Sequence, residues 1–442
     1  MLRKPPDWGI GPVPERERRL GFLDFFVLWG SLGAGLLVML AGTLLVPALG
    51  LGEALVAIVV GTLLGNLLLL VPAVMGSDHG VPTMVALRPT LGIRGSYLPS
   101  IVNVIQLVGW TAFELIIMAT AASAVTERVF GVPAYWLWLL VLALLCTALA
   151  IGGPLVVVRV WLEKFGIWLL LATTAYLTYF LLSRYGLSGL MAQPGSGDLP
   201  FPLAVDLVVA LPLSWLPLAA DYNRFARSTR GASLGTYLGF FVANVWFFAL
   251  GAVAVLALQA QDLIASILAL TIGGVALVII LADETDNAFA DIYSAAVSTR
   301  NFLTATSHWK LATFFGVLGF VAAALLPIER YEAFLLLLGS LFAPLFGVVA
   351  ADYFLLRRRH LDVQALYEES GAYGYRKGVN GYALFCWVLG VAVYQGIANL
   401  YPSIGASLPS FVLAGAIYLG LALLRKRRMS RGGVSATGGW TL

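Results

Sequence analysis

The chain has 442 residues, 60% of them hydrophobic and 11% charged, with a mean hydropathy of +0.90 and a formal net charge of +4. Apolar runs of bilayer-spanning length recur throughout, which excludes a soluble enzyme or binding module. The runs lack the ten-residue alternation of an outer-membrane barrel, so the predicted class is an all-α integral membrane protein, its basic excess a matter of topology and not of nucleic-acid binding.

Charges and prolines fill residues 1–21, which predicts a cytoplasmic segment with no cleaved signal peptide. Twelve spans are then expected, at 22–47, 52–75, 96–125, 135–152, 161–183, 201–221, 233–258, 263–299, 310–327, 331–356, 380–401 and 408–424. Pro47 with Gly50 and Gly52 closes the first, Gly131 and Pro133 open the fourth, and Pro194 to Pro202 precedes the sixth. A cytoplasmic loop at 357–379 and a basic tail at 425–442 flank the last two spans.

The first and sixth spans both carry helix-weakening residues. Trp29 to Gly35 holds three glycines, at Gly30, Gly33 and Gly35, and Leu211 to Pro217 holds Pro212 and Pro217 around Ser214 and Trp215. Interrupted spans at matching places in two halves, 22–183 and 201–356, fit a five-plus-five inverted repeat with a central binding site. In the third span Gln106, Trp110 and Glu114 recur every fourth residue and share one face; Trp110 offers a flat apolar platform and Glu114 an acceptor for N–H groups.

The eighth span is the most unusual. The stretch LADETDNAFADIYS, Leu281 to Ser294, brings Asp283, Glu284, Asp286 and Asp291 to mid-membrane if 263–299 crosses as one tilted helix. An ionised side chain there costs at least ~2.5–3.5 kcal/mol, so it needs a partner, a cavity or a function. Asp283, Asp286, Asn287, Ala290 and Ser294 fall on one face, with Glu284 and Asp291 on the adjoining one. An extramembrane loop is the alternative, but too few residues then remain before Arg300 to span.

All but three of the 27 Lys and Arg residues, the exceptions being Arg128, Arg184 and Arg330, lie at the termini or in even-to-odd connections. By the positive-inside rule both termini are cytoplasmic, in a cell (inner or plasma) membrane. Cys146 and Cys386 sit in apolar runs without a disulfide or metal pattern, and His79, His308 and His360 lack metal-ligand spacing. An intramembrane enzyme would require a catalytic pair or metal ligands, and a passive channel would not require interrupted helices in both halves. Neither cofactor nor resident metal is expected.

Several stretches resemble the nucleobase:cation symporter-1 family, in its cytosine-permease and hydroxymethylpyrimidine-permease branches. They are APLFGVVAADYFLLRRR from Ala343 to Arg359, Leu366-Tyr367, Gly374 to Asn380, Gly109-Trp110, Ser214-Trp215 running to Arg224, and Ala282 to Ser294. The resemblance implies a leucine-transporter-type core of ten helices, two further C-terminal helices, and alternating-access uptake of a nucleobase-like ring with Na+ or H+. It implies that Trp110 and Trp215 sandwich the ring, with Glu114 and Asp291 at its edge. The cation site then falls on carbonyls around Gly30, Gly33 and Ala34, on Ala282, and on Thr285 and Asp286. Glu114, Asp286 and Asp291 are carboxylates where the family often has neutral groups, which favours a donor-rich aminopyrimidine such as hydroxymethylpyrimidine, a thiamine precursor, or cytosine. A purine, hydantoin or allantoin-type substrate is the alternative within the family. The partners expected are therefore the heterocycle, the cation and the lipid bilayer.

Overall fold

The computed structural model describes residues 8–152, 167–259, 263–270 and 272–431, and every regular element among them is helical. The long helices are α1 (Phe22–Leu32), α2 (Leu36–Thr43), α3 (Leu51–His79), α4 (Tyr97–Phe130), α5 (Tyr135–Gly152), α6 (Ile167–Tyr185) and α7 (Phe201–Trp215). They continue with the short α8 (Ala219–Asn223), then α9 (Thr229–Leu258), α10 (Gly273–Thr299), α11 (His308–Leu325), α12 (Tyr331–Ala350), α13 (Gly381–Leu400) and α14 (Ser407–Arg431). Among the described residues eight helices are long and apolar enough to cross a membrane, and the bent pair α1–α2 makes a ninth. The remaining predicted spans are helical at α6, α7–α8 and α10. The start of the fifth, with Arg159 and Lys164, lies outside the described residues.

The first span bends by 56° between α1 and α2. Gly35 sits at the break with φ +142, a conformation that side-chain-bearing residues rarely adopt. The sixth breaks later than its two prolines suggest. Pro212 is accommodated inside α7, and the helix ends at Trp215 ahead of Pro217, resuming at Ala219. A proline leaves one carbonyl unbonded but does not always end a helix inside a packed bundle.

The eighth span is not one helix over 263–299. A short helix, Leu263–Leu268, is followed by a turn, and α10 starts only at Gly273. Gly273 makes that turn possible, since a Cβ there would collide with the carbonyl of Ile267. From Asp283 to Thr299 every side chain of α10 is buried. A helix buried on all sides is a central one, and α10 packs against α4, α5, α6 and α11 and touches both α1 and α2.

Glycines let α1 and α2 lie close along α9: a Cβ at Gly239 would strike the carbonyl of Phe26, and one at Gly42 the carbonyl of Phe248. At the end of the bundle bearing the basic loops, polar contacts join separate elements. Asp78 accepts from Thr229 Oγ1 (2.6 Å), Tyr353 Oη (2.6 Å), and Arg359 Nε (3.0 Å) and Nη2 (2.8 Å). These hydrogen bonds hold the Arg359 guanidinium above its ordinary pKa. Buried Arg88 donates to Asn301 Oδ1 (2.7 Å) and the Leu366 carbonyl (2.7 Å).

Candidate functional site

Where the two interrupted spans face α4 and α10, their side chains line a small pocket. Leu32, Leu37 and Val38 from α1–α2 and Leu211 and Leu218 from the sixth span give it apolar walls. Trp110 and Glu114 enter from α4, Ser214 and Trp215 from the end of α7, and Asn287 and Asp291 from α10. Such a lining, mostly apolar with a few polar groups, is the usual build of a small-molecule site.

Both tryptophans are held by neighbouring rings. Trp110 packs edge-on against Phe334 and Tyr331, with centroids 5.3 Å and 5.9 Å away. Trp215 meets Trp29 edge-on at 5.8 Å. The indole nitrogen of Trp29 donates to Asn223 Oδ1 (3.0 Å), so α1 and α8 are tied behind the pocket. Gln106 does not reach the wall. It stands one turn before Trp110 and donates to the carbonyl of Ser214 (2.9 Å) and to Asn103 Oδ1 (2.7 Å), bracing the end of α7 against α4.

The carboxylate-bearing face of α10 meets the break in the first span. Asp283 accepts from Ser31 Oγ (2.8 Å), Asn287 donates to the carbonyl of Ala34 (3.1 Å), and Thr285 Oγ1 donates to the carbonyl of Ala282 (2.8 Å). Gly30 and Gly33 complete the adjoining turn of α1, their Cα positions facing α9. Both oxygens of Asp286 are buried without a hydrogen-bond partner, as is one oxygen each of Asp283 and Asn287. Unpartnered anionic oxygens beside a helix break suit a hard cation, which prefers oxygen ligands. No group of three or more His, Cys, Asp or Glu side chains that could hold a metal ion occurs among the described residues.

Trp110, Trp215, Glu114 and Asp291, the four residues expected at the ring, therefore line one pocket with Ser214 and Asn287, and Gln106 stands behind it. The carbonyl of Ala34 meets α10 through Asn287, one residue after Asp286, and Thr285 bonds to Ala282 within α10. Sequence reasoning noticed Glu284 as a buried charge but gave it no task. The structure seats it on the first backbone N–H groups of α2 (Leu36, 2.7 Å). It also missed Tyr331, whose hydroxyl donates to the carbonyl of Leu37 (3.1 Å) beside the pocket. Nothing in the local sequence of either residue marks its partner, which lies on the first span.

A helical bundle with kinked spans converging on one central pocket is the build of a secondary transporter. The sequence matches the profile of the family described as permease for cytosine/purines, uracil, thiamine, allantoin over residues 12–419, and the chain belongs to that family of nucleobase:cation symporters. Its relatives include the hydantoin permease of Microbacterium maritypicum (24% identical, 86% of this chain and 82% of that one). The cytosine permease of Escherichia coli K12 is 27% identical over 89% of this chain and 90% of its own. Among solved structures, a nucleobase-cation-symport-1 family transporter in a closed conformation with bromovinylhydantoin bound superposes with a TM-score of 0.83 at 22% identity, covering 96% of each chain. A Na+-coupled sialic acid symporter shares the fold at a TM-score of 0.62 and 14% identity, over 95% of this chain and 93% of the other. The chain is thus a multi-pass membrane transporter with a leucine-transporter-type fold; its relatives are permeases, not enzymes.

Proposed function

We propose that this transporter imports an amine-bearing, nitrogen-rich aromatic ring, hydroxymethylpyrimidine or cytosine, by symport with a cation and alternating access. The observation that carries the reading is the pairing of Trp110 and Trp215 on one pocket with Glu114 and Asp291. Indole faces bind any planar ring, and the polar groups at its edge choose among them. Carboxylates accept hydrogen bonds, so they favour an exocyclic amine and ring N–H groups over a carbonyl-rich edge. The relatives named for cytosine and hydantoin support a heterocyclic substrate.

Na+ is the coupling ion in this reading, with H+ as the alternative. Asp286 and Thr285, with the carbonyls of Ala34 and Ala282 and the turn at Gly30 and Gly33, would hold it. Bound there, a cation would neutralise Asp286 and join α10 to the break between α1 and α2. The two halves at 22–183 and 201–356 then rock as inverted repeats around the site, with both termini in the cytoplasm of a cell-membrane protein. Proteoliposomes carrying the purified protein test this. Labelled cytosine or hydroxymethylpyrimidine should accumulate above its outside concentration under an inward Na+ gradient. Equilibration without accumulation, under both Na+ and H+ gradients, would overturn symport; failure of both rings to enter would overturn the substrate.

A further inference from the structure

Glu284 is a carboxylate of α10 that neither the ring site nor the cation site uses. Its side chain is fully buried, at 0% exposure, and it is absent from the pocket wall. One carboxylate oxygen accepts from the N–H of Leu36 at 2.7 Å, and the other lies 3.5 Å from the N–H of Leu37. These are the leading N–H groups of α2, which no bond within the helix can satisfy. They also form the positive end of the half-helix dipole. Gly35 gives the carboxylate its room, because a Cβ there would stand 2.5 Å from Glu284 Oε2. No basic side chain pairs with Glu284 among the described residues; the carboxyl of Glu114 is its other neighbour.

An open half-helix N-terminus beside a transport pocket is a natural seat for an anionic group of the cargo. In this chain the seat is filled from within. Leu37 and Val38, the next residues of α2, form part of the pocket wall, so the N-terminus in question is that of the wall itself. We propose that Glu284 is a tethered anion that occupies the N-terminus of α2, fixes that wall of the pocket, and excludes rings that carry an anionic substituent. The exclusion rests on the ring-pocket reading above; the tethered anion does not. A carboxylate on the incoming ring would find the N–H groups taken and would face the anionic Glu284. Neutral and cationic rings meet no such repulsion.

The test separates the two parts. Glu284→Ala and Glu284→Gln are purified in detergent, and thermal unfolding is followed while sodium formate replaces sodium chloride at constant sodium. Glu284→Ala should melt below wild type and regain stability saturably with formate, a carboxylate small enough to enter the hole. Wild type and Glu284→Gln, whose amide oxygen still accepts from Leu36, should not respond. Equal melting of Glu284→Ala and wild type, or a formate response shared by all three proteins, overturns the tethered anion. The exclusion is read on Glu284→Gln as the affinity for uracil-6-carboxylate relative to uracil, which should rise about tenfold over wild type. An unchanged ratio overturns the exclusion. Should wild type bind neither uracil nor cytosine, the ring-pocket reading and the exclusion fall together, and the formate series still decides the seat of Glu284.

Discussion

Trp29 of α1 packs edge-on against Trp215 at the end of α7, with ring centroids 5.8 Å apart and planes at 79°. The two interrupted spans are therefore joined through aromatic rings beside the pocket, one of them on its wall. Edge-to-face pairs contribute about 0.5–1.5 kcal/mol beyond the area they bury, and here that energy fixes the plane of Trp215. Trp29→Leu should weaken binding of a planar ring about threefold to tenfold while leaving the protein folded. Equilibrium binding of cytosine to the purified variant checks this; wild-type affinity would show that Trp215 keeps its plane unaided.

Asp286 has both carboxylate oxygens buried with no hydrogen-bond donor, on the face of α10 that meets the broken first span. Left alone in a low-dielectric interior, such a group is strongly destabilising, and a cation removes the cost. Asp286→Asn keeps the shape and removes the charge. Ion-driven accumulation should be lost while some ring binding remains. Full sodium- and proton-driven uptake by the variant would take Asp286 out of the coupling mechanism.

The positions of the helices were legible because hydropathy and Gly/Pro punctuation report on apolar surroundings, which the spans find in lipid or in one another. Glu114 and Asp291 stood out because carboxylates are costly mid-membrane, and the pairing of Trp110 with Trp215 came from the family resemblance; all four line one pocket. What stayed hidden depended on partners distant in sequence. Glu284 looks like its neighbour Asp283, yet one seats on the Leu36 N–H and the other on the Ser31 hydroxyl. Gln106 follows the same four-residue spacing as Trp110 and Glu114, but the carbonyl of Ser214 draws it behind the wall. Pro212 and Pro217 look equivalent as helix breakers, and only the packing of α7 shows that the chain breaks at the second. The turn before Gly273 escaped notice because apolar residues flank it on both sides.

Arg358 and Arg359 adopt left-handed backbone, φ +50 and +67, which is uncommon for long side chains. Arg359 holds Asp78 at the end of α3 with two hydrogen bonds, and its backbone N–H bonds to the carbonyl of Tyr353 (2.9 Å). The contact joins α3 to the segment after α12, so it acts as a latch at the basic-loop end. Its raised guanidinium pKa means that the charge is present at all physiological pH, and pH in that range should not release the latch. Arg359→Ala should release it. With Cys146 and Cys386 replaced by Ala, a cysteine at the buried Ser77 should react several-fold faster with an impermeant maleimide in inside-out vesicles. Unchanged reactivity would show that the pair does not restrain this end.

Orientation is checked separately. Ser188, Ser228 and Ser403 are all exposed, so a cysteine at each reports on its side of the membrane and not on burial. In intact cells, Ser188→Cys and Ser403→Cys should be labelled by a membrane-impermeant thiol reagent, and Ser228→Cys should be protected. The reverse pattern would place the termini outside and undo the basic-loop argument.

Substrate choice turns on Glu114. Its side chain enters the pocket one helical turn beyond Trp110, and one of its carboxylate oxygens is buried without a donor. A ring amine placed between Trp110 and Trp215 can supply that donor. Leaving a buried polar group without its partner costs about 1–3 kcal/mol. Glu114→Gln preserves the volume and replaces a carboxyl oxygen by an amide nitrogen, so affinity for an aminopyrimidine should fall about tenfold. Carbonyl-rich rings such as uracil should lose less, because the new amide donates to them. The informative quantity is the ratio of cytosine to uracil affinity in wild type and variant, measured on the same preparation so that losses of folded protein cancel. A ratio that does not move would make Glu114 a packing residue and leave the edge of the ring to Asp291, whose carboxylate stands on the same pocket from α10.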